Sequence, residues 1–364
     1  YAREVMQLMT IGLVQLNADG SVKTDAAGKP LDSYTQDDVT NLARVFTGYD
    51  LDIKAGERNT VTPPGASYTI ESNAWTQRPM ALTASRHSTL AATFLGTTIP
   101  AGTPGDQALK AALDALVAHP NTAPFISRQL IQRLVTSNPS PAYVKRVADV
   151  FSNNGAGVRG DMKSVIAAIL LDNEARSPAG LASADFGHVR EPMLRFVQWA
   201  RTCGLASAAG TWRIGNLSST SYGLGQSPLR SPSVFNFYRP GYVPPSTAIA
   251  SKGMVAPEFQ IVTETSVGGY INFLGGILQN GFASKDVVAA YASEKALVLD
   301  PAALVDRLAL LFTARQLSAA TQALIVDALS EPAVTATSTD AVKLNRITAA
   351  VMLVMACPEY LVQK

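Results

Sequence analysis

The chain has 364 residues, of which 47% are hydrophobic and 16% are charged, a composition that argues against disorder and is typical of a globular protein. Thirty basic and 28 acidic residues leave a formal charge of +2, which is too balanced to predict a nucleic-acid groove or a membrane-surface patch. No apolar run approaches the roughly 20 residues of a transmembrane helix, so we expect no membrane span.

The first 16 residues show a helical pattern. Apolar side chains recur at spacings of three and four and predict one helix face that needs a partner surface: Val5, Met6, Leu8, Met9, Leu13 and Leu16. No capping residue precedes this helix, and the chain does not start with Met. We therefore expect the C-terminal portion of a longer precursor, in which this face could be an interface.

A short polar excursion separates the first helix from the second. Its Asp19-Gly20 pair suits a tight turn. The second helix is predicted to begin at Thr35, whose hydroxyl can cap the exposed amides, and to end at Gly48.

Two long irregular regions are predicted to be ordered loops. The first covers 49–105, contains Pro63-Pro64-Gly65, Tyr68 and Trp75, and is expected to include small strands. The second covers 207–257 and is rich in Ser, Gly and Pro. It places four aromatic residues within eight positions: Phe235, Phe237, Tyr238 and Tyr242. Such a loop must lie against the protein or against a ligand, and packing is the preferred interpretation.

Helical periodicity dominates the rest of the chain. The predicted helices cover 108–118, 122–136, 141–153, 161–173, 191–203, 258–279, 301–313, 319–329 and 340–355. Short breaks between several of them predict antiparallel neighbours. We therefore predict a mainly α protein, a compact multi-helix bundle forming a single domain over 1–364, with the two loops and small β-hairpin elements.

Cysteine and histidine are sparse. Cys203 and Cys357 are predicted to be buried and inert, although a disulfide between them stays open. His87, His119 and His188 lack metal-ligand spacing, so we predict no metal and no cofactor. His119 is expected to be structural at a helix start, and His188 is expected to lie on the surface.

Seven segments carry a resemblance to a known family. They are 1–12, 34–49, 86–96, 119–130, 190–192, 226–242 and 355–364. Together they resemble a large bacterial family of uncharacterised proteins, catalogued as domain of unknown function 1800. Two positions depart from its pattern, because Met9 stands where relatives commonly carry His, and Ser88 stands where they carry Asp. The resemblance implies a periplasmic or extracellular protein with a sulfatase-like partner and an additional N-terminal part.

One group of charged residues could form a catalytic or anion-binding site. It comprises Arg3, Glu4, Arg44, Arg86, His87, Arg190 and Glu191. In an enzyme, Glu4 or Glu191 would act as a general acid or base with His87, while the arginines held an anionic substrate. The preferred interpretation is a set of ion pairs that clamp helices to the loops. No nucleophile elbow, Walker loop or dinucleotide fingerprint is present.

Three functional hypotheses follow from these observations. The leading one is an exported accessory or binding component of the cell envelope, which binds a protein or a cell-surface polymer through its loops. The predicted binding residues are Arg3, Arg44, Arg86, Arg190, Phe235, Phe237, Tyr238 and Tyr242. The alternatives are a hydrolase acting on an extracellular polymer or ester, and a subunit of an ordered extracellular assembly.

Overall fold

The computed structural model describes residues 1–57, 60–62, 70–71 and 74–364. Within these residues 16 α-helices are present, 49% of the chain is helical and 8% is strand. The prediction of a mainly α fold with small hairpins is therefore confirmed. The part of the first-loop prediction that involves Pro63-Pro64-Gly65 and Tyr68 lies outside the described residues.

The helices follow one another with short connections over most of the chain. They are α1 Ala2–Glu4, α2 Gln36–Val45, α3 Gly105–Ala118, α4 Thr122–Leu134, α5 Pro141–Ser152, α6 Met162–Leu171, α7 Asn173–Arg176, α8 Pro178–Ala182, α9 Pro192–Thr202, α10 Ala248–Ser251, α11 Glu264–Asn280, α12 Ala292–Ala296, α13 Pro301–Thr313, α14 Ala319–Ser330, α15 Asp340–Ala356 and α16 Pro358–Leu361. A π-helix, Val5–Thr10, continues α1, and 3₁₀ turns cover Ala74–Gln77, Ala84–Arg86 and Pro257–Ile261. None of the helices in the described stretches combines the length and apolarity needed to cross a bilayer.

The strands are short and pair two by two. They are β1 Tyr49–Asp50, β2 Thr60–Val61, β3 Ile70–Glu71, β4 Ala81–Leu82, β5 Ala92–Phe94, β6 Thr97–Ile99, β7 His188–Val189, β8 Leu205–Ser207, β9 Val287–Ala289 and β10 Val362–Gln363. All pairs are antiparallel: β1 with β4, β2 with β3, β5 with β6, β7 with β10, and β8 with β9. The small strands predicted for the first loop are thus present.

The first helix differs from its prediction. The helical segment ends at Thr10, so Leu13 and Leu16 do not extend its apolar face, and Leu13 is exposed. Gly12 ends the helix with a φ of +74°, a conformation that favours glycine. Val5 and Met6 of the predicted face are buried within the protein.

The second helix follows its prediction closely. Thr35 Oγ1 accepts a hydrogen bond from the Asp38 amide at 3.2 Å, and Asp38 Oδ2 accepts one from the Thr35 amide at 2.7 Å. This reciprocal capping box satisfies amides that a helix start leaves without partners.

Clustering of contacts divides the chain into two compact units, Tyr1–Gly180 and Leu181–Lys364. In the first unit, one apolar cluster joins α1, the π-helix, α2, α3 and the β5–β6 hairpin around Met6, Leu42 and Phe94. Arg78 ties the first loop together by pairing with Asp52 at 2.7 Å and with Glu57. Helices α4, α5 and α6 pack against one another, and α4 also contacts α3 and the π-helix.

The second unit has its own apolar core, to which α9, α11, α13, α14 and α15 contribute. At its centre Trp199 Nε1 donates to the Tyr291 hydroxyl at 3.1 Å, and that hydroxyl donates to the Leu278 carbonyl at 2.9 Å. These two hydrogen bonds satisfy the indole N–H of Trp199 and the hydroxyl of Tyr291, which would be costly to bury without partners. The single-domain interpretation of the chain stays a prediction.

Candidate functional site

The second long loop is held to its unit by buried side chains. The anchors are Leu217, Leu224, Gln226, Ser227 and Tyr238. The loop also closes on itself, because the Leu224 amide donates to the Leu217 carbonyl at 2.8 Å. Burial of apolar anchors on this scale gives a loop a fixed conformation despite its lack of regular structure.

Gln226 joins the second loop to the start of α9. Its Nε2 donates to Glu191 Oε2 at 2.5 Å, and its Oε1 accepts from the Met193 amide at 3.0 Å. The buried side-chain amide of Gln226 therefore donates to the predicted catalytic carboxylate and accepts from a backbone amide in the first turn of α9. Glu191 thus has a structural partner within the second unit.

Arg190, a predicted ligand-binding residue, lies against the C-terminal segment of the second unit. Its guanidinium stands 4.8 Å from the centroid of the Tyr360 ring. Its Nε donates to the Tyr360 carbonyl at 3.1 Å, and Nη1 donates to Gln198 Oε1 at 2.8 Å. Burial lowers the pKa of Arg190 below its usual range. Arg190 thus joins the start of α9 to the C-terminal segment through a carbonyl, an amide oxygen and an aromatic ring.

The second loop carries six exposed large apolar side chains: Trp212, Tyr222, Leu229, Val234, Phe235 and Val243. Three of them, Leu229, Val234 and Phe235, lie close together in sequence. Leu229 is fully exposed, Val234 is 52% exposed and Phe235 is 39% exposed. We call these three residues the loop surface. Arg239 lies beside it, with its guanidinium 5.0 Å from the centroid of the Phe235 ring. Exposed Leu, Val and Phe on an anchored frame are a common feature of sites that bind other molecules.

The four aromatic residues, which were predicted to lie against the protein or against a ligand, divide between interior and surface. Tyr238 is buried and Phe237 and Tyr242 are half-buried, whereas Phe235 belongs to the loop surface. The Tyr242 carbonyl accepts from the Ala256 amide at 2.9 Å. One residue of the group therefore remains available for contact with a ligand.

In the first unit, His87 is positioned by the end of α2. Its Nδ1 lies 3.0 Å from the Thr47 carbonyl oxygen, which places a donated proton on that nitrogen in the neutral ring. Thr47 Oγ1 also accepts from the Ser88 amide at 2.8 Å. Gly48 next to it has a φ of +85°, and a Cβ there would stand 2.9 Å from the Thr83 carbonyl oxygen. The glycine thus permits the close approach of the loop that carries His87.

His87 and Arg44 line one shallow recess. Its empty volume is about 220 Å³ and includes open solvent, and Ser88 and Thr103 add hydroxyl groups to the lining. Arg44 Nη1 donates to Asn41 Oδ1 at 2.8 Å and to the Ala91 carbonyl at 2.7 Å. Arg86 is exposed at the end of its 3₁₀ turn.

The remaining predicted site residues lie at the start of the chain. Arg3 donates to the side-chain oxygen of Gln36. Glu4 is half-buried at the end of α1. In the described parts of the chain, no three His, Cys, Asp or Glu residues form a group that could hold a metal.

Comparison with known proteins places the chain in a family. Residues 1–362 match the family described as "Protein of unknown function (DUF1800)". The chain belongs to this family. No curated protein and no solved structure matches it. In this DUF1800 protein, two of the segments that carried the resemblance, 190–192 and 226–242, contact each other through Gln226.

The prediction that His188 lies on the surface of this DUF1800 protein is wrong. His188 and Glu258 are only 5% and 2% exposed, and His188 Nδ1 lies 3.6 Å from Glu258 Oε1. Strand pairing of β7 with β10 and the turn Pro257–Ile261 cover the ring. Since Glu258 is distant in sequence, local composition offered no signal for this pair.

His119 and the two cysteines follow their predictions of burial or structural roles. His119 Nδ1 accepts from the Asn121 amide at 3.2 Å, and burial lowers the pKa of His119. Cys203 and Cys357 are both buried and free in the DUF1800 chain. Burial raises the pKa of Cys203 to about 12 and also raises that of Cys357.

Proposed function

We propose that this protein is an exported binding protein, an accessory component of the cell envelope or extracellular space, which holds a partner on its second long loop. The observation that carries the proposal is the loop surface itself. Leu229, Val234 and Phe235 are exposed, while Leu224 and Tyr238 on either side of them are buried anchors. Because the loop is already ordered before a partner binds, the entropic cost of binding there is lower.

The contacts of the predicted acid–base groups support binding over hydrolysis. A general acid or base needs to reach a proton of the substrate. Glu191 accepts instead from the buried Gln226 amide. The contact of His87 Nδ1 with the Thr47 carbonyl orients the ring and does not involve Nε2, so only the contact of Glu191 supports binding over hydrolysis. The Thr47 hydroxyl lies 3.5 Å from His87 Nδ1 but donates its proton to the Arg44 carbonyl at 2.6 Å, so this ring nitrogen does not activate it as a nucleophile.

The location and identity of the partner follow from the resemblance described above and form part of the proposal. We expect a periplasmic or extracellular location. The partner would be another protein, such as a sulfatase-like protein or an N-terminal part of the same precursor, or a cell-surface polymer. Membership of the DUF1800 family supports applying these family features to the chain.

Site-specific photo-crosslinking in the native host tests the proposal. A photoreactive amino acid is placed at Leu229 or at Val234, and a matched control carries it at Leu324. Leu324 is 72% exposed but belongs to α14, outside the loop. We expect a discrete adduct from the two loop positions and none from the control.

Two outcomes would contradict the proposal. Equal adducts from Leu229 and Leu324 would mean that exposure alone determines the reaction. Absence of any adduct at the loop positions in the fraction that contains the protein would remove the binding role. Fractionation of the tagged natural protein tests export, since a cytoplasmic location would contradict that part.

A further inference from the structure

The second loop carries positive charges and no negative ones. Between Ala208 and Pro257 the sequence holds Arg213, Arg230, Arg239 and Lys252 but neither Asp nor Glu. The whole chain, in contrast, has a formal charge of only +2. The charge of the loop is therefore distinct from that of the rest of the protein.

Two of the four cationic residues have acidic neighbours. Lys252 Nζ lies 2.7 Å from Asp185 Oδ1, and Arg213 is close enough to Asp286 to interact with it electrostatically. Arg230 and Arg239 are exposed, and neither forms an ion pair with the parts of the chain that the structure describes. Arg230 directly follows Leu229 in the sequence, and the Arg239 guanidinium lies against the Phe235 ring.

We propose that the loop surface, together with Arg230 and Arg239, binds an acidic and apolar segment of a partner protein. This inference rests on the proposed binding function and narrows the class of its partner. Complementary charge steers the encounter and excludes basic partners, while burial of the three apolar side chains supplies the attraction at short range.

The side chains of the loop surface favour a protein over a polymer. Leu229 and Val234 are aliphatic, so they gain most by burial against other apolar side chains. Sugars and bases are bound chiefly on flat aromatic faces. Phe235 is the one flat side chain among the three residues of the loop surface, and the Arg239 guanidinium already covers one of its faces. The other exposed aromatic side chains of the second loop, Trp212 and Tyr222, come earlier in the sequence and are not part of this surface.

A pair of defined peptides tests the inference with the full chain. One fluorescent peptide consists of Glu, Leu and Phe, and its counterpart carries Lys in place of each Glu. Fluorescence anisotropy measures the binding of each. We expect the Glu peptide to bind at least about tenfold more tightly, and its affinity to fall as salt screens the charges.

Variants of the protein identify the surface that binds. Leu229→Ser and the double variant Arg230→Gln with Arg239→Gln are each expected to weaken binding of the Glu peptide by about threefold to tenfold. Leu324→Ser and Lys163→Gln are the matched controls, because both residues are exposed and lie outside the loop. These controls should bind like the parent protein.

Each result decides the matter. Equal binding of the two peptides, or a double arginine variant that binds unchanged, overturns the acidic partner. Displacement of the Glu peptide by polygalacturonate at lower carboxylate concentration than by the unlabelled Glu peptide also overturns it, in favour of a polymer. If photo-adducts form at Leu229 while the peptide results are negative, only this inference fails. If Leu229 behaves like Leu324 in both experiments, the proposed function fails as well.

Discussion

At the scale of single residues, Gly269 shows how closely the second loop approaches the helix beneath it. A Cβ on Gly269 in α11 would stand 2.1 Å from the carbonyl oxygen of Thr220, a distance that no real contact allows. The neighbouring Gly268 has open space around the same position. The loop therefore packs directly on the backbone of α11 at Gly269 and makes no contact at the Cβ position of Gly268.

This difference predicts opposite effects of two adjacent substitutions. Gly269→Ala should lower the free energy of unfolding by about 1 to 3 kcal/mol, because the methyl group forces the loop backbone away. Gly268→Ala should raise it by up to about 1 kcal/mol through higher helix propensity. Urea unfolding followed by circular dichroism measures both. Equal effects of the two variants would mean that the loop does not lie against α11 as described.

The two thiols belong to the same scale. Cys203 and Cys357 are buried and free, and burial raises the pKa of Cys203 to about 12, so little thiolate exists near neutral pH. We expect less than about one-tenth of the thiol to react with an aromatic disulfide reagent within an hour while the protein is folded. The same sample in denaturant is the control and should react fully. Rapid reaction of the folded protein would contradict the burial.

At the scale of elements, side-chain caps fix the starts of several helices. Asp161 illustrates this at α6. It accepts from the Lys163 amide at 3.1 Å and from the Ser164 hydroxyl at 2.7 Å, and Asn154 Nδ2 donates to it at 2.8 Å. Hydrogen bonds from Ser164 and Asn154 lower the pKa of Asp161 from its ordinary 3.8 to about 2.

A pH dependence follows from this lowered pKa. Since the folded value lies below the unfolded one, the carboxylate stabilises the fold above about pH 4, and this contribution is lost as the pH falls through about 2. Asp161→Asn should therefore melt at a lower temperature than the parent near neutral pH, and the difference should shrink below about pH 4. Thermal melts across this range provide the measurement. Asp114→Asn, at an exposed site within α3, is the control.

The first helix and the shortest helices differ from what the sequence pattern predicts. The pattern of the first 16 residues was that of one long helix, but the π-helix and Gly12 end it at Thr10. The four-residue α16 and the five-residue α12 were not predicted, because helices of one turn leave too few positions for periodicity. Helices α13 and α15, which have clear caps, were predicted within one residue at both ends. Helix α2 begins one residue after the predicted Thr35 and ends three residues before the predicted Gly48.

At the scale of the whole molecule, the chain consists of two compact units with separate apolar clusters. The cluster of the second unit runs from Phe196 to Tyr360 and includes the buried Leu304, Val305 and Leu308 of α13. A contiguous core of this kind is what a segment needs in order to fold by itself.

We therefore expect residues 181–364 to fold when produced alone. The segment should give a helical circular dichroism spectrum and one cooperative unfolding transition. Leu308→Ala should lower its free energy of unfolding by about 2 to 5 kcal/mol, because it leaves a cavity in the cluster. Leu310→Ala, at an exposed position of the same helix, should change it by less than about 0.5 kcal/mol. A segment without a cooperative transition would contradict the expectation.

Only part of the candidate site could be predicted from the sequence. The aromatic residues of the second loop and the charged residues of 190–192 were singled out from the sequence. The pairing of Gln226 with Glu191 and the burial of His188 beside Glu258 were not. Each depends on groups that lie far apart along the chain, and local patterns carry no information about such pairs.

The sequence by itself determined the helical class, most helix bounds, the two irregular regions and the family resemblance, because these depend on spacings of a few residues and on local motifs. Only the tertiary structure decided that Tyr238 is an anchor while Phe235 is exposed, and that Arg190 packs on Tyr360, 170 residues away. The physical reason is that periodicity is a local property of the chain, whereas burial depends on which distant segment covers a side chain.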